Sequence, residues 1–69
     1  MIQLIMREGF KTIDQALAAK QKLVALGYDD ASVSVFCDRC EVEIDCGDYD
    51  IWYGDVARHM QQVKKEVEL

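Results

Sequence analysis

Sixty-nine residues with a net charge of −5, half of them apolar and almost a third charged, describe one globular domain rather than a disordered tail. The acidic balance excludes a chain drawn by its own charge to phosphate backbones. At this size only about 60% of the unfolded chain's surface can be buried, so a partner or self-association is a natural supplement to a marginal core.

Proline is absent and no low-complexity or Gly/Ser-rich stretch marks an internal boundary, so residues 1–69 are expected to form a single domain. No apolar run reaches the length of a membrane span, and residues 1–6 are too short and wrongly flanked for a signal peptide. Three cysteines, an odd number, suit a reducing compartment, and the expected location is cytoplasmic.

Taken in order, residues 2–7 alternate Ile2, Leu4 and Met6 against Gln3, Ile5 and Arg7 and predict a short strand, with residues 8–11 as the turn out of it. Thr12 has the form of a helix N-cap, with Gln15 completing a capping box and Asp14 in the first turn. The helix is expected to run to Leu26 and to end on Gly27 in a left-handed conformation. Its apolar stripe is Ile13, Ala16, Leu17, Leu23 and Val24, with Lys20 near the middle; a lysine there lays its methylenes on apolar surface and lifts its ammonium to water.

Tyr28, Asp29 and Asp30 lead into the clearest pattern in the chain, residues 31–46. Ala31, Val33, Val35 and Cys37 alternate with Ser32, Ser34 and Phe36; beyond Asp38 and Arg39, Cys40, Val42, Ile44 and Cys46 alternate with Glu41, Glu43 and Asp45. A two-residue turn at Asp38 and Arg39 sets Cys37 against Cys40, Val35 against Val42 and Val33 against Ile44, and collects the apolar residues on one face. A slip of one residue would place carboxylates against valines. Residues 46–49 form the loop out, and Trp52, Val56, Met60, Val63 and Val67 recur at helical spacing, a second helix starting near Asp50 or Gly54.

Strand, helix, strand, strand, helix, with one apolar stripe per helix, predicts an α+β two-layer sandwich. Its three-stranded sheet has both helices on one face, a ferredoxin-like arrangement lacking its last strand. The expected strand order is 1-3-2, with 3-2-1 as the alternative. The opposite face is left open, carrying Ile5, Arg7, Ser34, Phe36, Glu41, Glu43 and Asp45 among others.

Charge divides sharply along the chain. Residues 29–55 hold nine acids and one base, a balance of −8, whereas the first 28 residues are +2 and the last fourteen +1. Cys37 and Cys40 have the spacing of half a metal or redox site, but Cys46 lies six residues further along the same strand, about 20 Å away, too far to share a zinc ion with Cys40. Two small buried apolar residues closing the hairpin are the expected role. His59, at the edge of the second helix's stripe, is expected to be hydrogen-bonded rather than catalytic. No phosphate-binding glycine loop is present. No catalytic residue, metal ligand or cofactor is assigned, and the chain is not expected to be an enzyme.

Residues 2–28 resemble the first half of the SPOR domain, the peptidoglycan-binding family, in the strand, the Gly9–Phe10 turn, and a helix with Ala16, Leu23, Leu26, Gly27 and Tyr28. Gly47 and Tyr49 echo that family's second glycine–aromatic turn. The resemblance implies a glycan-binding module. In size, α/β organisation and one-sided acidity the chain also resembles the small acidic proteins that phages direct against host nucleic-acid machinery, including anti-CRISPR proteins and DNA mimics. That likeness implies a non-enzymatic inhibitor occupying a basic nucleic-acid-binding surface of a host protein. The charge pattern points the same way, with Phe36 and Ile5 as apolar anchors among Glu41, Glu43, Asp45, Asp48 and Asp50. The SPOR-like glycan binder and a small dimeric adaptor or regulatory domain are the alternatives.

Overall fold

The computed structural model describes residues 5–45 and 53–68. It contains strand β1 (Ile5–Gly9), helix α1 (Ile13–Ala25), a 3-10 turn (Asp30–Ser32), strands β2 (Val33–Phe36) and β3 (Glu41–Asp45), and helix α2 (Tyr53–Val67). The sheet is antiparallel throughout with the order β1-β3-β2, the first of the two expected orders. Helix α1 lies over β2 and β3, and α2 packs against α1 and β1, so both helices cover one face.

The register is the one that gathers the apolar residues. Val33 pairs with Ile44 and Val35 with Val42. Met6 on β1 also faces Ile44, and Met6, Val33, Val42 and Ile44 are all buried beneath the helices. From above, α1 contributes Ala16, Ala19 and Leu23, and α2 contributes Val56, Met60 and Val63. Each large aliphatic side chain buried in this way contributes about 1.5–3 kcal/mol. Val35, nearer the hairpin end, packs against this core but stays partly exposed.

The α1 stripe is rotated from its sequence expectation. Ala16 and Ala19 are fully buried, whereas Leu17 is 44% exposed. Small side chains let a helix approach a sheet closely, and once Ala16, Ala19 and Leu23 define the contact line, Leu17 is turned off it. Lys20 stands at the edge, its Nζ 3.4 Å from an Asp30 carboxylate oxygen, as its amphipathic character requires.

Both ends of α1 follow from the sequence. The Thr12 hydroxyl accepts from the Gln15 N–H at 3.2 Å, and the Gln15 side chain accepts in return from the Lys11 N–H at 3.1 Å. At the other end Gly27 has φ +113, the Tyr28 N–H donates to the Leu23 carbonyl and the Gly27 N–H to that of Val24. This paired bonding satisfies the final carbonyls, and the buried side chains of Tyr28 and Leu23 supply the apolar contact that accompanies it.

Two boundaries differ from expectation. Strand β1 continues through Glu8 and Gly9, because β3 is long enough to pair them with Val42 and Glu41; Phe10, not Glu8, begins the turn. Residues 1–4, on which part of the expected first strand falls, lie outside the described residues, as does Trp52 of the expected second-helix stripe. Strand β2 begins at Val33, since Asp29 caps a 3-10 turn through Asp30, Ala31 and Ser32 by accepting from the Ala31 N–H.

The hairpin turn is four residues long, 37–40, rather than two. A two-residue hairpin needs positive φ at both central residues or glycine at the first, and Asp38–Arg39 supplies neither cheaply. The chain instead makes a β-turn in which the Arg39 N–H donates to the Phe36 carbonyl at 3.3 Å, then places Cys40 alone in the left-handed region at φ +51. The register is unchanged. Cys37, however, is exposed rather than a buried closure of the hairpin, and Cys40 is half-buried.

Candidate functional site: the open face of the sheet

Among the described residues no helix lies on the second face of the sheet. β3 runs down its middle, and its outward side chains are Glu41, Glu43 and Asp45, spaced about 6.8 Å apart because alternate residues share a face. Each carboxylate has defined neighbours. Glu41 stands between Gly9 of β1 and Phe36 of β2, Glu43 between Arg7 and Ser34, and Asp45 beside Ile5. Phe36 and Ile5 are both partly buried and occupy opposite ends of the row. Five of the sequence-predicted residues are thus brought onto one surface; Asp48 and Asp50 lie outside the described residues.

Two arginines change the electrostatics of this face. The Arg7 Nε donates to Glu43 Oε2 at 3.1 Å, and only 17% of the Glu43 side chain is exposed. The Arg39 guanidinium lies 4.7 Å from the Phe36 ring centroid, a cation–π arrangement, with its Nε 3.7 Å from a Glu41 oxygen. Among the described residues, three carboxylates and two guanidiniums leave the patch at −1, a milder field than the count of acids along the chain implies. The sequence placed Arg7 on this face but gave no sign of its pairing, which depends on the β1–β3 register. Arg39 was legible only as the lone base in the acidic segment.

No family model, curated protein or solved structure matches this chain.

On the helix layer, Tyr28 and His59 form a partly buried pair, with the phenol oxygen 2.7 Å from Nδ1 and the rings edge to face at 5.8 Å. With Nδ1 unprotonated the Tyr28 O–H donates to it, so His59 is a satisfied histidine at the edge of the core. It borders a shallow depression of about 590 Å³ on α2 that Arg58, Gln62 and Lys65 also line. Arg58 is engaged by Asp55 one turn away.

Glu8 points to the helix side of β1, where Lys64 donates to it at 2.6 Å and Gln61 at 3.1 Å. The Glu8 hydrogen bond and charge raise the Lys64 pKa above its ordinary 10.5, against an opposing effect of burial. Among the described residues, no three His, Cys, Asp or Glu side chains converge to hold a metal ion, and no helix is long and apolar enough to cross a membrane.

Proposed function

We propose that this protein is a non-enzymatic binding module whose open sheet face docks a basic surface of another protein, in the manner of a small phage inhibitor that covers a nucleic-acid-binding site. One observation carries the reading: a row of three outward carboxylates on the central strand, uncovered by either helix, with Phe36 at one end and Ile5 at the other. Their spacing of about 6.8 Å resembles that of successive phosphates along a nucleic-acid strand, so a surface built to hold phosphates would find acceptors at familiar intervals. Phe36 and Ile5 would supply the desolvated contact, and the charges orientation and on-rate. On docking, Arg7 and Arg39 would exchange partners or remain as rim donors. A cytoplasmic location fits the three cysteines.

The experiment is a binding measurement against a partner captured from host lysate, run at several salt concentrations and in competition with that partner's nucleic acid. Association should slow as salt rises, since exposed charges are screened beyond about 8 Å at physiological ionic strength. Charge removal by Glu41→Gln with Asp45→Asn should slow association further, and Phe36→Ala should speed dissociation. Charge-reversal at Glu43 is the poorer test, because a lysine there would stand directly opposite Arg7 and weaken the sheet. A folded double variant that binds as well as the parent at low and high salt, or a partner that holds its nucleic acid undisturbed, would sink the proposal.

A further inference from the structure

The hairpin turn holds two cysteines for which packing gives no account. Cys37 is exposed and Cys40 half-buried, and neither belongs to the core cluster. Each lies one residue beyond the last ladder pair, Phe36 opposite Glu41. Facing residues in an antiparallel pair have Cα atoms about 4.5–5.5 Å apart, so the Phe36–Glu41 pair holds the two ends of the turn together, at a separation similar to the Cα spans of about 4.4–6.8 Å that disulfides bridge. The turn between them is held from both sides. Arg39 N–H donates to the Phe36 carbonyl at 3.3 Å, and the Phe10 N–H at the end of β1 donates to the Cys40 carbonyl at 2.8 Å.

We propose that residues 37–40 form a two-thiol redox site in which Cys37 and Cys40 close reversibly to a disulfide by exchange with a low-molecular-weight disulfide. The exposed Cys37 thiolate attacks one sulfur of the small disulfide, forming a mixed disulfide and releasing one small thiolate. The Cys40 thiolate then attacks the Cys37 sulfur and displaces the second. The protein gives up two electrons and two protons, and the small disulfide leaves as two thiols. With only Asp38 and Arg39 between the cysteines the closed loop is short, so closure removes little unfolded-state entropy. An exposed disulfide of this kind belongs to the labile class rather than the structural one. The side chain it would restrain most directly is Arg39, which covers Phe36 at one end of the open face.

The test uses the full-length Cys46→Ser variant, equilibrated with oxidised and reduced glutathione, quenched in acid, alkylated and digested with trypsin. Cleavage after Arg39 separates Cys37, in fragment 23–39, from Cys40, in fragment 40–58, so the two stay joined only through a disulfide. The expected result is a monomer lighter by two hydrogens, with these fragments linked and released by dithiothreitol. At sub-millimolar glutathione the closed form should exceed the singly glutathionylated one by about tenfold, since a tethered neighbour acts at an effective concentration of millimolar or more. The Cys40→Ser variant in the same background should stop at the Cys37 mixed disulfide. Glutathione retained on Cys37 or Cys40 in place of closure, links only between chains, or thiols that stay free in excess oxidised glutathione would each overturn the proposal.

Discussion

The two faces of β3 are built from adjacent residues and behave as opposites. Val42 and Ile44 point under the helices with no solvent exposure, whereas Glu41, Glu43 and Asp45, interleaved with them, point outward and remain partly accessible. The first set makes the fold and has little freedom to vary, since a cavity there is paid for in stability. The second contributes little to the fold, so its composition is free to answer to something else. A strand whose inward half is aliphatic and whose outward half is a run of carboxylates separates the two roles within five residues.

The sharpest way to break that contrast is to remove volume from the inward half. Ile44 faces both Met6 and Val33 and is fully buried, so Ile44→Ala should cost about 2–5 kcal/mol, read by chemical denaturation. A domain of this length has only about 3–10 kcal/mol in total, so the loss should take from about a fifth to all of its stability. Retention of more than about four-fifths of the parent's stability would mean that the helices do not close over this position as described.

Most of this inward half was legible in the sequence, because strict alternation over residues 31–46 admits one register and both helix caps carry their own signatures. Features set by three-dimensional proximity were not legible. Leu17 looked like core, but the close approach permitted by Ala16 and Ala19 decided which line of α1 meets the sheet. Cys37 looked buried by parity, but parity ends where the ladder ends, and the four-residue turn turns it outward. The outward half was read correctly as residues and too simply as charge, since Arg7 reaches Glu43 from a strand 36 residues away.

An intermediate effect is expected where the two regimes meet, at Glu8, a carboxylate on the covered side of an edge strand. Lys64→Met keeps much of the side chain's apolar bulk and removes its charge, while Gln61 still donates to Glu8. The cost should be on the order of 0.5–1 kcal/mol at neutral pH. The pH dependence has a definite sign. Because the folded-state pKa of Lys64 is raised above 10.5, its contribution is fully present below that value and is lost as pH rises through the higher folded value. The parent and Lys64→Met should therefore converge in stability at strongly alkaline pH. A gap that stays constant there would assign the difference to packing on Phe10, whose ring centroid lies 5.9 Å from the Lys64 ammonium.

The smallest effect on stability, and the most informative for function, is expected at Arg7. Its side chain is 58% exposed and its pair with Glu43 spans two neighbouring strands, a setting in which an ion pair contributes roughly 0.2–1 kcal/mol and less as salt rises. Arg7→Gln should therefore leave the melting transition nearly unchanged. It should also make the open face more negative by one charge, from −1 to −2 among the described residues, and free the Glu43 carboxylate for an incoming cation. If that face docks a basic partner, Arg7→Gln should bind faster than the parent and with a steeper salt dependence, while Glu43→Gln, removing the other half of the same pair, should bind more slowly. The opposed signs separate docking from a structural role, since a pair that merely supported the sheet would lose the same small stability from either end and alter binding in one direction. Equal changes in association rate for the two variants would remove the electrostatic basis for assigning the outward half of β3 a role in binding.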